Sequence, residues 1–228
     1  MTVAAGHFKT RRKVSIWRRG DMAGDPRHFS MLRSFHAADW LTLGNAAAGV
    51  SACFSALRFV ADGGRGHLLI ACALLPVALL LDLLDGRVAR WRQKHSLLGR
   101  ELDSLADVIS FGVAPAFIAF AAGMRGGWDQ AVLVYFVCCG VSRLARFNVT
   151  AEALSQGGDK VSHFEGTPIP TSVLLVCLIA VAVQRDRIGD RLWGGALVLG
   201  PAVLHPLVLL WALSGSLMIS KTLRVPKV

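Results

Sequence analysis

The sequence predicts an all-α integral membrane protein, with six transmembrane helices preceded by a short N-terminal interfacial helix. Three observations predict it. Hydrophobic residues make up 54% of the 228 positions and mean hydropathy is +0.50, which is high for a chain that stays dissolved in water. Six apolar runs approach or reach the roughly 20 residues that a helix needs to cross a bilayer core. The basic residues fall mainly on one side of those runs, as the positive-inside rule requires.

Taken in order, residues 1–24 read as a flexible basic arm. Their stretch "HFKTRRKVSIWRRG" has no apolar core ahead of a small-residue cleavage site, so no cleavable signal is expected. Over 25–38, Phe29, Leu32 and Phe35 recur at near-helical spacing and continue to Trp40, the pattern of a helix lying at the membrane interface. A six-helix domain is expected over 39–217, with spans near 39–61, 67–91, 96–122, 128–148, 168–184 and 193–214. The breakers "DGGRG" and "GMRGG" supply short outer turns. The longest connection, "TAEALSQGGDKVSHFEGTPIP", has a length that in compact domains often carries function. Residues 218–228 form a basic tail.

The net charge of +10 suggests an anionic partner, but its distribution argues against nucleic acid. Eight of the 25 Lys and Arg precede the first span. With the N-terminus inside, most of the others also face the cytoplasm, and Arg65, Arg125, Arg185, Arg187 and Arg191 fall outside. Anionic headgroups of membrane lipids suit such basic tails. The five cysteines all lie in apolar runs and match no zinc spacing, so they read as small buried hydrophobes. These features suit a prokaryotic inner membrane with both termini in the cytoplasm.

One stretch departs from the apolar pattern: "LDLLDGRVARWRQKHSLLGRELDSLAD", residues 81–107. Each ionised Asp facing lipid costs about 2.5–3.5 kcal/mol, so Asp82, Asp85, Asp103 and Asp107 must face one another, water or a cation. Asp82 and Asp85 are i, i+3 on the second span, and Asp103 and Asp107 are i, i+4 on the third. Each pair therefore shares a helical face. A short linker makes the two helices antiparallel neighbours, and the four carboxylates converge just beneath the cytoplasmic surface. Hard oxygen donors of this kind suit two divalent cations, Mg²⁺ or Mn²⁺, with substrate phosphates completing the shell. Gly86 lets a ligand approach the backbone, Ala89 and Gly99 keep the interhelical space open, and the planar fork of Arg90 suits a phosphate. A structural ion-pair cluster with Arg87, Arg90 and Arg100 is the plainer alternative.

Asp82, Asp85, Gly86, Ala89, Arg90, Gly99, Asp103 and Asp107 match the signature D-x2-D-G-x2-A-R-x8-G-x3-D-x3-D at every position. The chain thereby resembles the CDP-alcohol phosphotransferase family. "LDSLADVISFGVAPA", "RLARFN" and "FEGTPIPTS" resemble its phosphatidylserine synthase branch and extend the resemblance over about residues 39–175. The resemblance implies a six-helix membrane enzyme, usually a homodimer. Such an enzyme moves a phosphatidyl group from CDP-diacylglycerol to an alcohol, L-serine in this branch, and releases CMP. It implies Asp82, Asp85, Asp103 and Asp107 as metal ligands, with Asp107 also taking the proton from the incoming hydroxyl. It implies Gly86, Ala89, Arg90, Ser96 and Gly99 around the CDP moiety, with Thr42 and Asn45 as further nucleotide contacts.

Arg143 and Arg146, near the cytoplasmic end of the fourth span, suit the acceptor's carboxylate or a phosphate, or else serve as snorkelling anchors. Two other readings stay open at this stage. One is a sibling enzyme that uses glycerol phosphate, inositol phosphate or another alcohol. The other is a cation transporter, against which stand the placement of the acids at one end of the spans and the lack of an internal repeat.

Overall fold

The computed structural model describes residues 37–92, 97–155, 163–220 and 224–226. The expected basic arm and nearly all of the expected interfacial helix lie outside the described residues. Helices α1 (Ala37–Asp62) and α2 (Arg65–Arg92) form an antiparallel hairpin. The next helix begins as α3 (Leu97–Asp107), passes through a π-helical turn (Val108–Val113) and continues as α4 (Ala114–Ala122). Helix α5 (Gly127–Ser155) follows. Strand β1 (His163–Glu165) and a 3₁₀ turn (Ile169–Thr171) then lead into α6 (Ser172–Gln184). Strands β2 (Leu197–Leu199) and β3 (Ala202–Leu204) precede α7 (Leu209–Ile219), and β4 (Arg224–Pro226) pairs antiparallel with β1.

Among the described residues, four helices are long and apolar enough to cross a membrane: Ala38–Asp62, Arg65–Val88, Leu98–Ala122 and Gly127–Thr150. Two more apolar helices, Ile169–Gln184 and Pro206–Ile219, are shorter. The molecule is thus an all-α membrane protein in its main body. The expectation of a sixth helical span over 193–214 needs correction, because its first half is the β2–β3 hairpin. Glycine explains the change. Gly194, Gly195 and Gly200 all take positive φ (91°, 66° and 63°), which a helix does not allow. Gly200 opens a two-residue hairpin turn, where primed turn types need φ above zero. Hydropathy alone does not separate such a hairpin from a helix.

The spans meet through small residues. Ala48, Ala52 and Ala56 repeat every four positions on α1 and are buried, as are Ala71 and Ala78 on α2. Without large side chains between them the two backbones pack closely, which is how membrane helices associate when lipid offers no hydrophobic drive. A close approach joins α1 to the π-helical turn: a Cβ at Gly49 would lie 2.5 Å from Ser110 Oγ. Phe111, Ile118, Phe136, Val176, Ile179 and Trp211 fill the centre. Large apolar side chains such as Phe54, Leu80, Val134, Leu174 and Leu213 point outward, as they do on a lipid-facing surface.

The π-helical turn follows Asp107 directly. Pro115 permits it: it has no N–H to offer Phe111 and its ring crowds that carbonyl. The chain widens instead, and the Ala114 N–H bonds the Ile109 carbonyl five residues back. Single π turns inside α-helices occur often at functional sites.

Candidate active site

Four elements build the site. The last turns of α2 carry Asp82 and Asp85, and α3 carries Asp103 and Asp107. Helix α1 lies across both, and α5 closes the side where its second half passes α3. Asp82, Asp85 and Asp103 each direct one carboxylate oxygen to a common point, all within 4.8 Å of one another. Asp107 lies one helical turn beyond Asp103 and is within electrostatic reach of the other three. Three of the four expected carboxylates therefore form the tight group, and the fourth stands just deeper. Asp85 and Asp107 are buried; Asp82 and Asp103 are half-buried.

Helix α1 holds two of these groups. Thr42 Oγ1 donates to Asp85 Oδ2 at 2.8 Å, with the Ala38 carbonyl 3.1 Å away as the alternative acceptor. Asn45 Nδ2 donates to Asp107 Oδ1 at 3.5 Å. The Asn45 carbonyl accepts from Ser110 Oγ at 2.8 Å, so the π-helical turn itself braces the residue that steadies Asp107. Both Thr42 and Asn45, expected from sequence as nucleotide contacts, touch the carboxylates directly.

The other expected site residues are distributed as follows. Gly86 opens onto free space, since a Cβ there would meet nothing within 4 Å. Gly99 is half-buried on the first turn of α3. Ala89 and Arg90 lie on the end of α2 with their side chains outside the described residues, and Ser96 lies outside them altogether. Arg143 is half-buried on α5, its Nε has no hydrogen-bond partner, and its charge is within reach of Asp107. Arg146 lies one turn further along α5, also half-buried.

Two features had not been read from sequence. Asp39 is buried on α1, one turn before Thr42, and its charge reaches Asp85. The three-residue spacing of Asp39, Thr42 and Asn45 is the signal that marks this face. The second is a polar bridge from α5 to α3: Asn148 Nδ2 donates to Ser104 Oγ at 3.0 Å and to Glu101 Oε2 at 3.3 Å.

The residues present fit divalent cations. All donors in the tight group are carboxylate oxygens, the hard ligands that Mg²⁺ and Mn²⁺ take. Asp103 Oδ1 is buried without a hydrogen-bond partner, and three close carboxylates repel unless a cation lies among them.

Comparisons with known proteins bear on the family to which the chain belongs. The family model for CDP-alcohol phosphatidyltransferase matches residues 35–218. The chain is 43% identical over 206 residues to a Saccharomyces cerevisiae protein named CDP-diacylglycerol–serine O-phosphatidyltransferase, covering 89% of this chain and 75% of that one. A Helicobacter pylori protein of the same name is 43% identical over 130 residues, covering 56% of this chain and 53% of its own length. An archaetidylserine synthase from Methanothermobacter thermautotrophicus is 42% identical over 115 residues, 49% of this chain and 46% of that one. The chain thus spans three quarters of the yeast relative and about half of the other two. A family model that covers all six apolar helices, and an aspartate cluster built from the very residues of the signature, lead to one conclusion: the chain belongs to the CDP-alcohol phosphatidyltransferase family.

Proposed function

We propose that this chain transfers a phosphatidyl group from CDP-diacylglycerol to the hydroxyl of L-serine, giving phosphatidylserine and CMP. The observation that carries the reading is the convergence of Asp82, Asp85 and Asp103 within 4.8 Å, in a chain whose relatives bear that activity in their names. Family membership leaves the cation-transporter reading without support.

In this mechanism Asp82, Asp85, Asp103 and Asp107 hold two divalent cations, Mg²⁺ or Mn²⁺. When bound, these cations offset charge on the diphosphate and on departing CMP. Gly86, Ala89, Arg90, Ser96 and Gly99 cradle the CDP moiety, and Thr42 and Asn45 complete that wall while steadying Asp85 and Asp107. Arg143 and Arg146 hold the serine carboxylate, for which a guanidinium fork is the matching partner. Asp107 takes the proton from the serine hydroxyl. The freed oxygen bonds the phosphatidyl phosphorus, the phosphoanhydride bond to CMP breaks, and CMP leaves with the bonding electron pair. The acyl chains stay in the bilayer throughout.

The same reading makes the protein a homodimer of a prokaryotic cytoplasmic membrane, with the shorter helices Ile169–Gln184 and Pro206–Ile219 as its fifth and sixth crossings and the site and both termini on the cytoplasmic side. The one-sided distribution of Lys and Arg supports that orientation.

The test is an acceptor panel. Purified protein is given CDP-diacylglycerol, Mn²⁺ or Mg²⁺, and labelled L-serine, glycerol phosphate or inositol phosphate in turn. CMP release with labelled phosphatidylserine, from serine alone, is expected. CMP release with glycerol phosphate and not with serine overturns the choice of acceptor.

A further inference from the structure

Helices α3 and α5 run antiparallel, and α5 packs closely against the π-helical turn that follows Asp107. Beyond that turn, towards the aspartate end, two side-chain relationships span the gap between them. The first pairs Arg143 on α5 with Asp107 on α3, whose charges are within mutual reach. The second is the bridge from Asn148 to Ser104 and Glu101. Their order is the same on both helices: Ser104 precedes Asp107 by three residues, and Asn148 follows Arg143 by five. In an antiparallel pair this places both relationships on one side of the packed turn, with the Asn148 bridge farther from it.

The bridge is well formed chemically. The Ser104 hydroxyl has two acceptors at 3.2 Å, the Arg100 carbonyl and Asn148 Oδ1, and its oxygen accepts from Asn148 Nδ2. The second Asn148 N–H goes to the Glu101 carboxylate. One amide thus ties two consecutive turns of α3 to α5. Arg143, by contrast, has a long, half-buried side chain whose Nε makes no hydrogen bond, and its root is carried by the α5 backbone. Its position depends on where the α5 backbone is held.

We infer that Asn148 is a positioning residue for the acceptor: through its bridge to Ser104 and Glu101 it holds α5 so that Arg143 presents its guanidinium beside Asp107. The inference rests on the reading of Arg143 as the group that binds the serine carboxylate. It assigns Asn148 no contact with substrate.

The test uses the full-length protein in detergent with CDP-diacylglycerol and Mn²⁺, read as CMP release against serine concentration. Asn148→Ala is expected to raise the KM for serine about tenfold, with kcat and the KM for CDP-diacylglycerol near the parent values. Ser104→Ala, which cuts the same bridge without touching α5, is expected to act in the same direction and more weakly. Ser104→Thr, which keeps the hydroxyl, restores the parent KM. In an Arg143→Lys background, adding Asn148→Ala should change the serine KM little, because both changes act on one interaction. A serine KM that stays at the parent value in both Asn148→Ala and Ser104→Ala overturns the inference. So does an Asn148→Ala effect that multiplies with Arg143→Lys. The underlying reading fails separately: in that case the parent protein itself gives no CMP with serine.

Discussion

Thr42 on α1 donates its hydroxyl to Asp85 Oδ2 on α2 at 2.8 Å, and both side chains are buried. The bond joins the first helix to the Asp82–Asp85 pair of the second and sets which oxygen of Asp85 is left without that partner. Partners of this kind orient a ligand, and losing one typically weakens metal affinity about 10–100-fold. Thr42→Val keeps the volume and removes the donor. The Mn²⁺ or Mg²⁺ concentration for half-maximal CMP release should rise by that factor, while Thr42→Ser stays near the parent. An unchanged metal requirement in the valine variant would show that the bond does not prepare Asp85 for the ion.

Asp107 lies outside the tight group and within reach of Arg143, and the proposed mechanism gives it the proton of the serine hydroxyl. Asp107→Asn should lower turnover by about 10²–10⁴, the usual contribution of a general base, and retain much of the binding of CDP-diacylglycerol. Asp82→Asn and Asp85→Asn should lose metal-dependent binding as well as turnover. Equilibrium binding of the nucleotide lipid with and without Mn²⁺ separates the two classes. Near-normal turnover in Asp107→Asn would assign the base elsewhere.

The grouping of the carboxylates was more legible in the sequence than the scaffold that carries them. Asp82 with Asp85 and Asp103 with Asp107 carry their own geometry, because helical spacing alone puts each pair on one face. Apolar length located the first four spans for the same reason. The π-helical turn after Asp107 was harder to see: Pro115 signals a bend, and only packing decides whether a helix kinks or widens. The β2–β3 hairpin was hidden because an apolar run reads alike as strand or helix. The Asn148 bridge and the place of Asp39 depend on how whole helices are rotated against each other, and no local pattern encodes that rotation.

Two glycines make a matched pair of predictions. At Gly49 a Cβ would lie 2.5 Å from Ser110 Oγ and 2.8 Å from Ser110 Cα, so backbone must move. Gly49→Ala should lower the unfolding midpoint in detergent, in line with the roughly 1–3 kcal/mol that overpacking costs. At Gly86 a Cβ would meet nothing within 4 Å, so Gly86→Ala should leave that midpoint unchanged. If the open space admits the nucleotide, the same alanine lowers CMP release by about 10²-fold through misplacement of the substrate. An active Gly86→Ala protein would remove the nucleotide from that space.

Removing metal tests the carboxylate cluster as a whole. Asp82, Asp85 and Asp103 bring three carboxylates within 4.8 Å; a divalent ion among them would relieve their repulsion and, in the proposed mechanism, serve the chemistry. EDTA should therefore abolish CMP release, and excess Mn²⁺ or Mg²⁺ should restore it. The same chelation should lower the unfolding midpoint, since an ion that binds only the folded state stabilises it by mass action. Activity that survives exhaustive chelation would leave the cluster without its assigned role.

The buried pair of Asp129 and His205 offers a control far from the chemistry. Asp129 has no exposed surface. Its Oδ1 accepts from the His205 backbone N–H at 2.7 Å, and its Oδ2 accepts from the Gly126 N–H at 2.9 Å and lies 2.6 Å from His205 Nδ1. A carboxylate only accepts, so the imidazole carries its proton on Nδ1 there. These bonds cap the start of α5 and fasten the residue that follows the β2–β3 hairpin. Breaking a buried pair on one side costs about 3–5 kcal/mol, so Asp129→Ala should unfold at a markedly lower temperature. Asp129 precedes Arg143 by about 21 Å along the helix. At a temperature where the variant remains folded, its kcat and serine KM should therefore match the parent. A loss of activity there, with the fold intact by circular dichroism, would mean that the hairpin end of α5 sets the geometry at the aspartate end.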